Sequence, residues 1–474
     1  MASSRSFPPA DDARAPVVRA VATWLDALPA TGGPLAFALS GGRDSIVLLD
    51  AGAAALRARG RGALGLHVHH GLQAGADRWS AFCAQACADR GVAYAERRVV
   101  VARPPRASLE AQAREARYAA LRELAREHGA HAVALAHHQD DQAETLLLQL
   151  GRGAGPAGLA AMPASSTDAA GLAWYRPLLG LPRAAIDAYA RAARLQWVED
   201  PSNDDTRLRR NAVRQRVAPA LASTLPGYPG TLARAAVHQA EAAALLDALA
   251  EIDARDARYD AAGGAIDAAA LAGLPPARAR NLLRWFLHAR GLPPPTSARL
   301  EAMLRQLAGA RADARVALMH AGTVVGRHRG RVFVHAAAPR GYLLPWHGET
   351  SVALPHGVLA FEAAEGDGID AERSAAGLAI RPRRGGERLR LGPDRARREL
   401  KSLLCESGLP AWEREALPLV MAGDVLVAVP GIGVDVAWRA PPGRPGLRPV
   451  WYRGTAAPTN QAAARGPSRT RGSR

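Results

Sequence analysis

Short apolar runs and amphipathic stretches alternate along about the first 200 residues. The runs typical of buried strands cover residues 35–39, 63–70, 92–100 and 131–137. The stretches with helical periodicity cover residues 16–30, 46–60, 77–91, 108–129, 140–153 and 181–197. Strands that alternate with helices at this spacing predict an α/β fold, a doubly wound parallel sheet with helices on both faces. Residues 155–175 are small and polar, and we predict a surface loop there.

The pattern changes in the second half of the chain. From about residue 230 it is almost purely helical up to a proline-rich break at 291–295, and short strands follow at 315–335 and 340–362. Polar, proline-containing ends and a low-complexity basic tail are typical of disorder. We predict the following segments: a disordered N-terminus 1–15, an α/β catalytic domain 16–220, a mainly helical domain 221–340, a connector 341–377, a small α+β domain 378–454 and a disordered tail 455–474.

The charge balance favours a polyanionic partner. Lys+Arg number 61 and Asp+Glu 44, which gives a net charge of +17. Such an excess suits nucleic acid or an acidic membrane surface, although a basic tail with compositional drift would give the same balance. Lys401 is the single lysine among the 61 basic residues. Because the others are all arginine, one arginine alone is weak evidence for a site.

Cysteine content and the N-terminal sequence bear on the compartment. The chain has three cysteines, Cys83, Cys87 and Cys405. An odd, low count favours a reducing compartment without structural disulfides. The N-terminus lacks the apolar core of a signal peptide, and no apolar run reaches the roughly 18 residues of a membrane-spanning helix. We therefore expect a cytoplasmic protein with no membrane partner.

The strongest chemical signal is a glycine-rich loop between the first predicted strand and the helix that follows it. Glycines allow a sharp turn that brings backbone N–H groups close to an anion, and the helix N-terminus adds positive potential. The spacing is neither that of a Walker A loop nor GxGxxG. It resembles the PP-loop of ATP pyrophosphatases, which predicts nucleotide binding by Ser40, Gly41, Gly42, Arg43, Asp44 and Ser45. The alternative is an ordinary turn in which Asp44 caps the helix.

A second cluster, His-His-Gln-Asp-Asp-Gln-Ala-Glu-Thr at 137–145, follows the strand predicted at 131–137. In a doubly wound sheet the carboxyl ends of strands face one crevice, so this cluster should meet the glycine loop. An acid inside a phosphate cradle needs a cation, and we predict that Asp44 and Asp141 share Mg²⁺. Simple helix capping by Asp140 and Asp141 is the alternative, and the sequence does not decide which of the two would bind a metal.

Basic residues on predicted helices are candidate phosphate contacts. Arg114 and Arg117 are three residues apart and share a helix face, and guanidinium groups suit phosphates. An acidic stretch at 199–205 precedes a dense basic run that contains Arg209, Arg210 and Arg214, which is a plausible RNA contact. Solvated helix faces are the alternative for both groups. His67, His69 and His70 end the second strand and are better explained as a crevice wall than as metal ligands.

In order along the chain, these segments resemble the tRNA(Ile)-lysidine synthetase family of PP-loop ATP pyrophosphatases. The resemblance covers most of residues 35–220 and about 378–436. It rests on SGGRDS, HVHHGL, EAQAREARY, HHQDDQAET, RGAGPAGL, RPLL, WVEDPSNDD with RRNAVRQR, and, more weakly, IRPRRGGERLRLG, ELKSLLCESGLPAWERE, LPLV and VAVPGIGVD. One departure is Gly151, which stands where the family often has a lysine before Arg152; this puts a role for that lysine in doubt here.

The resemblance implies a two-step reaction with ATP and Mg²⁺. ATP would adenylate the C2 oxygen of the first anticodon cytidine of a CAU-anticodon tRNA(Ile), and free L-lysine would displace AMP to give lysidine, which changes decoding from AUG to AUA. It also implies these roles: catalysis by Asp44, Asp141 and Arg117, metal binding by Asp44 and Asp141, and contact with tRNA or the intermediate by Arg114, Arg117, Arg209, Arg210, Arg214 and Lys401. The oligomeric state stays undefined, with a homodimer open.

Three other functions fit parts of the sequence. A tRNA thiolase would share the PP-loop, but such enzymes usually carry a C-x-x-C pair and this chain has only C-x-x-x-C at 83–87. A small-molecule ligase of the amidotransferase type would not need two further basic domains. A non-catalytic RNA-binding protein would not need to keep Ser40, Asp44, Ser45 and Asp141. The lysidine-forming activity is therefore the favoured prediction.

Overall fold

The computed structural model describes most of the chain in two compact units, Met1–Leu246 and Asp247–Arg474. The described residues are 10–29, 33–69, 71, 75–100, 109–260, 264–311, 316–337, 341–375 and 377–453. The predicted disorder at 1–9 and 455–474 lies outside these residues. Within them, no helix is long and apolar enough to cross a bilayer.

The first unit contains a six-stranded sheet with the order β3-β2-β1-β4-β6-β5, in which only β5 is antiparallel to its neighbour. Its strands are β1 (Leu35–Leu39), β2 (Ala63–His69), β3 (Ala93–Arg98), β4 (Ala132–Ala134), β5 (Ser165–Thr167) and β6 (Ala173–Tyr175). The chain moves outward from β1 to β3 and then returns to β4 on the other side of β1. The carboxyl ends of β1 and β4 therefore flank a topological switch point, where ligands bind in open α/β sheets.

Helices cover both faces of this sheet, which confirms the predicted fold class. The helices of the first unit are α1 (Ala10–Asp26), α2 (Arg43–Ala58), α3 (Ala76–Ala88), α4 (Leu109–Glu127), α5 (Gln139–Leu150), α6 (Pro156–Leu159), α7 (Arg183–Ala192), a 3-10 turn (Pro201–Asp204), α8 (Arg209–Ala212), a π-helical turn (Val213–Val217) and α9 (Ala218–Thr224), and α10 (Tyr228–Asp256) contains the boundary between the two units. Alternate strand residues enter opposite cores: Phe37 packs with α1, α2, α3 and α7, whereas Ala36 packs with α4.

The second unit combines helices with antiparallel sheets. Three helices, α11 (Ala268–Gly273), α12 (Pro276–Ala289) and α13 (Ser297–Gly309), pack on a sheet with the order β7-β10-β9-β8. Those strands are β7 (Ala265–Asp267), β8 (Val316–His320), β9 (Thr323–His328) and β10 (Arg331–Ala336). Phe286, Leu287 and Met303 are fully buried in the core between the helices and the sheet.

The remaining elements form a second group of sheets, with the orders β11-β15-β18-β19-β20, β12-β13-β21-β14 and β16-β17. The elements are β11 (Leu344–Trp346), β12 (Ser351–Leu354), β13 (Gly357–Glu365), β14 (Ile369–Asp370), α14 (Ala371–Ser374), β15 (Leu378–Arg381), β16 (Arg388–Leu389), β17 (Arg398–Glu399), α15 (Leu400–Glu406), α16 (Ala411–Ala416), β18 (Leu419–Ala422), β19 (Val425–Val429), β20 (Gly433–Val434) and β21 (Pro445–Arg453).

Two segments differ from the sequence-based expectation. Residues 341–377, predicted as a connector with short strands up to residue 362, belong to these C-terminal sheets: β11 pairs with β15, and β13 pairs along its whole length with β21. Residues 155–175, predicted as a loop, contribute α6 and the edge strands β5 and β6. The sheet to which each segment belongs is set by partners far away in the chain, β21 for β13 and β4 for β6, and the local sequence does not reveal these partners.

The first helix also begins earlier than predicted. It starts at Ala10, inside the segment 1–15 expected to be disordered, and Pro16 lies within it rather than at its start. A proline after the first turn removes one backbone hydrogen bond. Burial of Val17, Val21 and Leu25 against the sheet offsets that loss.

Candidate active site

The glycine loop joins the end of β1 to the start of α2. Gly41 has a positive φ of 79°, and a side chain there would lie 3.4 Å from the Cys83 sulfur. Only glycine adopts that conformation without strain. The Ser45 hydroxyl donates to the Gly42 carbonyl at 2.8 Å, and the Gly42 N–H donates to Ser40 Oγ at 3.3 Å. These contacts hold a tight turn ahead of a helix N-terminus, whose first N–H groups have no partner inside the helix.

Asp44, in the first turn of α2, faces the end of β4. Its Oδ2 lies 3.5 Å from His138 Nε2, and its Oδ1 accepts a hydrogen bond of 3.0 Å from Arg43 Nε. Arg43 also pairs with Asp187 on α7. The side chain of Arg43 is thus turned toward two carboxylates.

His138 connects the two predicted metal ligands. Its Nε2 lies 3.5 Å from Asp44 Oδ2 and also 3.5 Å from Asp141 Oδ2. The His138 backbone N–H donates to the same Asp141 oxygen at 3.0 Å. Asp140 lies on the other side of the ring: its Oδ2 is 3.8 Å from His138 Nδ1 and accepts from the Arg183 N–H at 2.9 Å, at the start of α7. The structure therefore brings Asp44 together with Asp141 and gives Asp140 a different contact.

The two carboxylates fit a divalent cation that arrives with a nucleotide. Mg²⁺ takes oxygen ligands and is usually held by one or two carboxylates plus substrate phosphates and water. Asp44 and Asp141 each direct an oxygen toward the same imidazole nitrogen, so they can supply two such ligands. Among the described residues, no group of three or more His, Cys, Asp and Glu side chains is arranged to hold a metal ion.

Two predicted RNA-contact arginines lie against the acidic side of this cluster. Arg210 Nε donates to Glu144 Oε2 at 2.9 Å, and Arg214 Nε donates to Glu144 Oε1 at 2.7 Å. Both guanidinium groups also approach Asp141 Oδ1, at 3.2 and 3.5 Å. Glu144 is buried, and the four side chains form an ion-pair network, the Asp141–Glu144 network, beside Asp44.

The other predicted arginines of this unit lie near the same sheet edge or on the surface. Burial lowers the pKa of His137 well below its usual value, with smaller contributions from the charges of Arg176, Arg210 and Arg114. Arg114 therefore lies near the end of β4, and its guanidinium also lies 5.1 Å above the Tyr118 ring. The pKa of His67, at the end of β2, is lowered mainly by burial, and the positive charge of Arg117 makes a smaller contribution in the same direction. Arg209 is exposed on α8.

Lys401 belongs to the second unit. It is exposed on α15, which begins after a short hairpin of β16 and β17. Nearby, the buried Glu387 carboxylate accepts from the Arg384 and Gly385 N–H groups and from Arg381. The buried Glu387 carboxylate thus fixes the backbone at Arg384 and Gly385, while the Arg384 side chain is exposed.

Sequence reasoning missed the roles of His138, Glu144 and Asp187. His138 and Glu144 were visible only as members of a cluster, and Asp187 lies within an ordinary amphipathic helix. The signal for Glu144 was its spacing of three residues from Asp141, which places both acids on one face of α5. Nothing in the sequence linked Asp187 to Arg43.

Opposite pKa shifts accompany the contact between His138 and Asp44. Burial raises the pKa of the Asp44 carboxyl, but the hydrogen bond and charge of His138 and the charge of Arg43 outweigh it and lower the pKa to about 2. Burial lowers the pKa of His138, but Asp44 and Asp141 outweigh it and raise the pKa above its usual value. The folded state therefore favours the charged forms of both groups.

A His138→Gln variant should lose the part of the unfolding free energy that comes from the charged imidazole and therefore depends on pH. A raised histidine pKa stabilises the fold fully below the unfolded value of 6.5, and this stabilisation is lost as pH rises through the folded value. The contribution of Asp44 is present above 3.8 and is lost only toward about pH 2, so it stays constant in this range. The difference in unfolding free energy between wild type and variant should therefore shrink from pH 6 to pH 9.

Urea denaturation at each pH measures this difference. His238→Gln, in which the replaced ring is 75% exposed, controls for histidine replacement. A difference that stays constant across the range would show that the imidazolium does not interact with the two carboxylates in solution.

Comparison with known proteins agrees with the geometry. Three family models match: a PP-loop domain over residues 18–221, a TilS substrate binding domain over 266–333 and a TilS substrate C-terminal domain over 378–451. The tRNA(Ile)-lysidine synthase of Ralstonia nicotianae is 45% identical over 440 residues, which cover 87% of this chain and 94% of that protein. The protein of the same name from Nitrosomonas europaea is 39% identical over 460 residues, which cover 95% and 98%.

Among solved structures, the U34-tRNA thiolase NcsA from Methanococcus maripaludis is 19% identical, with a TM-score of 0.41, over 49% of this chain and 80% of that chain. This likeness is too distant to bear on function. The sequence relatives are much closer and span nearly the whole chain, with its glycine loop, paired carboxylates and C-terminal sheets. The chain belongs to the tRNA(Ile)-lysidine synthase family.

Proposed function

We propose that this protein ligates L-lysine to the first anticodon cytidine of a CAU-anticodon tRNA(Ile), in a reaction that converts ATP to AMP and pyrophosphate. The observation that carries the proposal is the meeting of Asp44 and Asp141 at one imidazole nitrogen beside the glycine loop. This is the arrangement needed to receive a nucleotide phosphate chain with its cation. The name that the relatives share supports tRNA(Ile) as the RNA substrate and lysidine as the product.

The glycine loop is the proposed phosphate site. The N–H groups at the start of α2 and the Ser40 and Ser45 hydroxyls would bind the β- and γ-phosphates of ATP. Asp44 and Asp141 would hold Mg²⁺, which when bound offsets the charge of the departing pyrophosphate. His138 lies between the two carboxylates, and its ring would have to move away or release its proton as they take up the ion, because an imidazolium there would repel the cation.

The first chemical step is attack by the cytidine C2 oxygen on the α-phosphorus of ATP. A new P–O bond forms, the bond to pyrophosphate breaks, and the cytidine becomes an adenylate. A cytosine carbonyl oxygen is a poor leaving group, and adenylation converts it into a good one. Arg114 and Arg117, near the strand ends, are the side chains proposed to hold the phosphate of this intermediate.

The second step is attack by a lysine amine on C2 of the adenylated ring. A C–N bond forms, the C–O bond to AMP breaks, and a proton leaves the amine. We propose that the arginines of the Asp141–Glu144 network, Arg210 and Arg214, and the exposed Arg209 contact the anticodon region. The segments 221–340 and 378–454, with Lys401 on the surface of the latter, would bind the rest of the tRNA through its phosphates.

Lysine incorporation tests this proposal. Radiolabelled lysine should enter a CAU-anticodon tRNA(Ile) transcript only when ATP and Mg²⁺ are both present, with one AMP released per lysine incorporated. An isoleucine tRNA with a different first anticodon base is the matched control and should remain unlabelled. Labelled lysine that stays free, together with sulfur incorporation from a sulfur donor, would support the thiolase instead.

A further inference from the structure

A cleft of about 310 Å³ lies between the end of α5 and the start of the helical segment that follows residue 208. Leu147 and Leu148 line one side and Val213 lines the other, while Arg152 and Arg209 lie at its edges. Both arginines are exposed, and none of the described residues that line the cleft is acidic. The cleft therefore has aliphatic walls and a positive rim.

The cleft adjoins the Asp141–Glu144 network through both of its helices. On α5, Leu147 and Leu148 follow Glu144 by three and four residues, which places them on the same face. On the other side, Arg210 and Arg214 contact Glu144, and Val213 lies between them in sequence. One helical turn rises about 5.4 Å, so the cleft lies about one turn from the acids that face Asp44.

The chemistry of the cleft restricts its occupant. A lysine ammonium would meet two guanidinium groups and no carboxylate, which is unfavourable. A nucleobase can pack on the leucine and valine side chains, stack on a guanidinium plane and leave its phosphate near the second arginine. A base enclosed by these side chains cannot at the same time stack on its neighbour in the strand, so it would be unstacked from the reacting cytidine.

We propose that this cleft is a second base-binding site, which takes the nucleobase next to the reacting cytidine in the single-stranded anticodon loop. The inference rests on the proposed function and adds to it a subsite that holds the neighbouring nucleotide. Its role is to keep the anticodon loop unstacked so that the target cytidine stays at the glycine loop.

Abasic RNA tests the site directly. An anticodon stem-loop carrying the CAU anticodon is compared with two versions that lack the base on the 5′ or the 3′ side of the reacting cytidine. Fluorescence anisotropy reports binding to the full-length protein. For wild type, one of the two abasic RNAs should bind at least about fivefold more weakly, as expected for the loss of one stacked base.

The variant Ala212→Trp fills the cleft from its wall. It should bind the intact RNA more weakly by a similar factor and should show no further loss with the abasic RNA. Ala222→Trp, at an exposed position on α9, is the matched control and should behave as wild type. Arg209→Gln, which leaves the cleft open, should weaken binding of intact and abasic RNA and reduce its salt dependence.

Several outcomes separate the possibilities. Wild type that binds both abasic RNAs as tightly as intact RNA would overturn the base site, as would an Ala212→Trp variant that remains sensitive to base removal. Weaker ATP binding by Ala212→Trp would assign the cleft to the nucleotide substrate and also overturn the proposal. Failure of the proposed function looks different, because wild type would then fail to incorporate lysine into intact tRNA at all.

Discussion

An Asp44→Asn variant is expected to lose lysidine formation by about 10³-fold or more while its tRNA affinity stays within about tenfold of wild type. Asparagine keeps the size of the side chain but removes the charge that would hold the cation on the pyrophosphate. Metal stabilisation of transition-state charge is worth several kcal/mol, and each 1.4 kcal/mol is about a factor of ten in rate. Single-turnover lysine incorporation and RNA binding measure the two quantities.

The matched control is Asp50→Asn on the same helix. Asp50 also pairs with an arginine, Arg90, and accepts from Tyr189 on α7, but it lies about 9 Å further along α2 than Asp44. This control should retain turnover. Normal turnover by Asp44→Asn, or a loss of tRNA affinity well beyond tenfold, would contradict the assignment of Asp44 to chemistry rather than to RNA binding.

A Glu144→Ala variant is expected to lower the free energy of unfolding by about 3 kcal/mol. The carboxylate is buried and accepts from both Arg210 and Arg214. Removing one partner of a buried ion pair leaves the opposite charges uncompensated, and costs of about 3–5 kcal/mol are typical. The low end applies because both guanidinium groups keep contact with Asp141 and with solvent. Urea denaturation measures the change.

Glu144→Gln keeps the shape and one acceptor oxygen, so it should cost less than the alanine variant. Glu123→Ala removes a largely exposed carboxylate that pairs with Arg97, and screening by water should make that change far smaller. Equal losses for Glu144→Ala and Glu123→Ala would indicate that the network does not stabilise the fold.

The parts of the site that could be predicted from sequence are those encoded by neighbouring residues. The strand, the glycine turn and the helix with Asp44 are contiguous, and only their order was needed to predict the loop and the sheet edge. The choice between Asp140 and Asp141 was not predictable, because both occupy the first turn of one helix. It depends on Arg183, 43 residues away, whose N–H binds Asp140.

The partners of Arg210 and Arg214 could not be predicted from the sequence either. Arg210 and Arg214 follow an acidic stretch, which suggested a surface for RNA, yet the structure pairs them with acids 66 to 70 residues earlier in the chain. Their contact with RNA stays a prediction. Short strands were expected at 340–362, but their place in a sheet was not, because β13 pairs with a strand about 90 residues later.

The position of β21 has a consequence for biosynthesis. This strand is the last one in the part of the chain that the structure describes, yet it lies between β13 and β14 inside its sheet. The C-terminal sheet therefore cannot close until Arg453 has left the ribosome, long after the strands around the glycine loop have been released. During translation the exposed edges of β13 and β14 have no partner, and they are the edges on which a nascent chain of this family would need protection from aggregation.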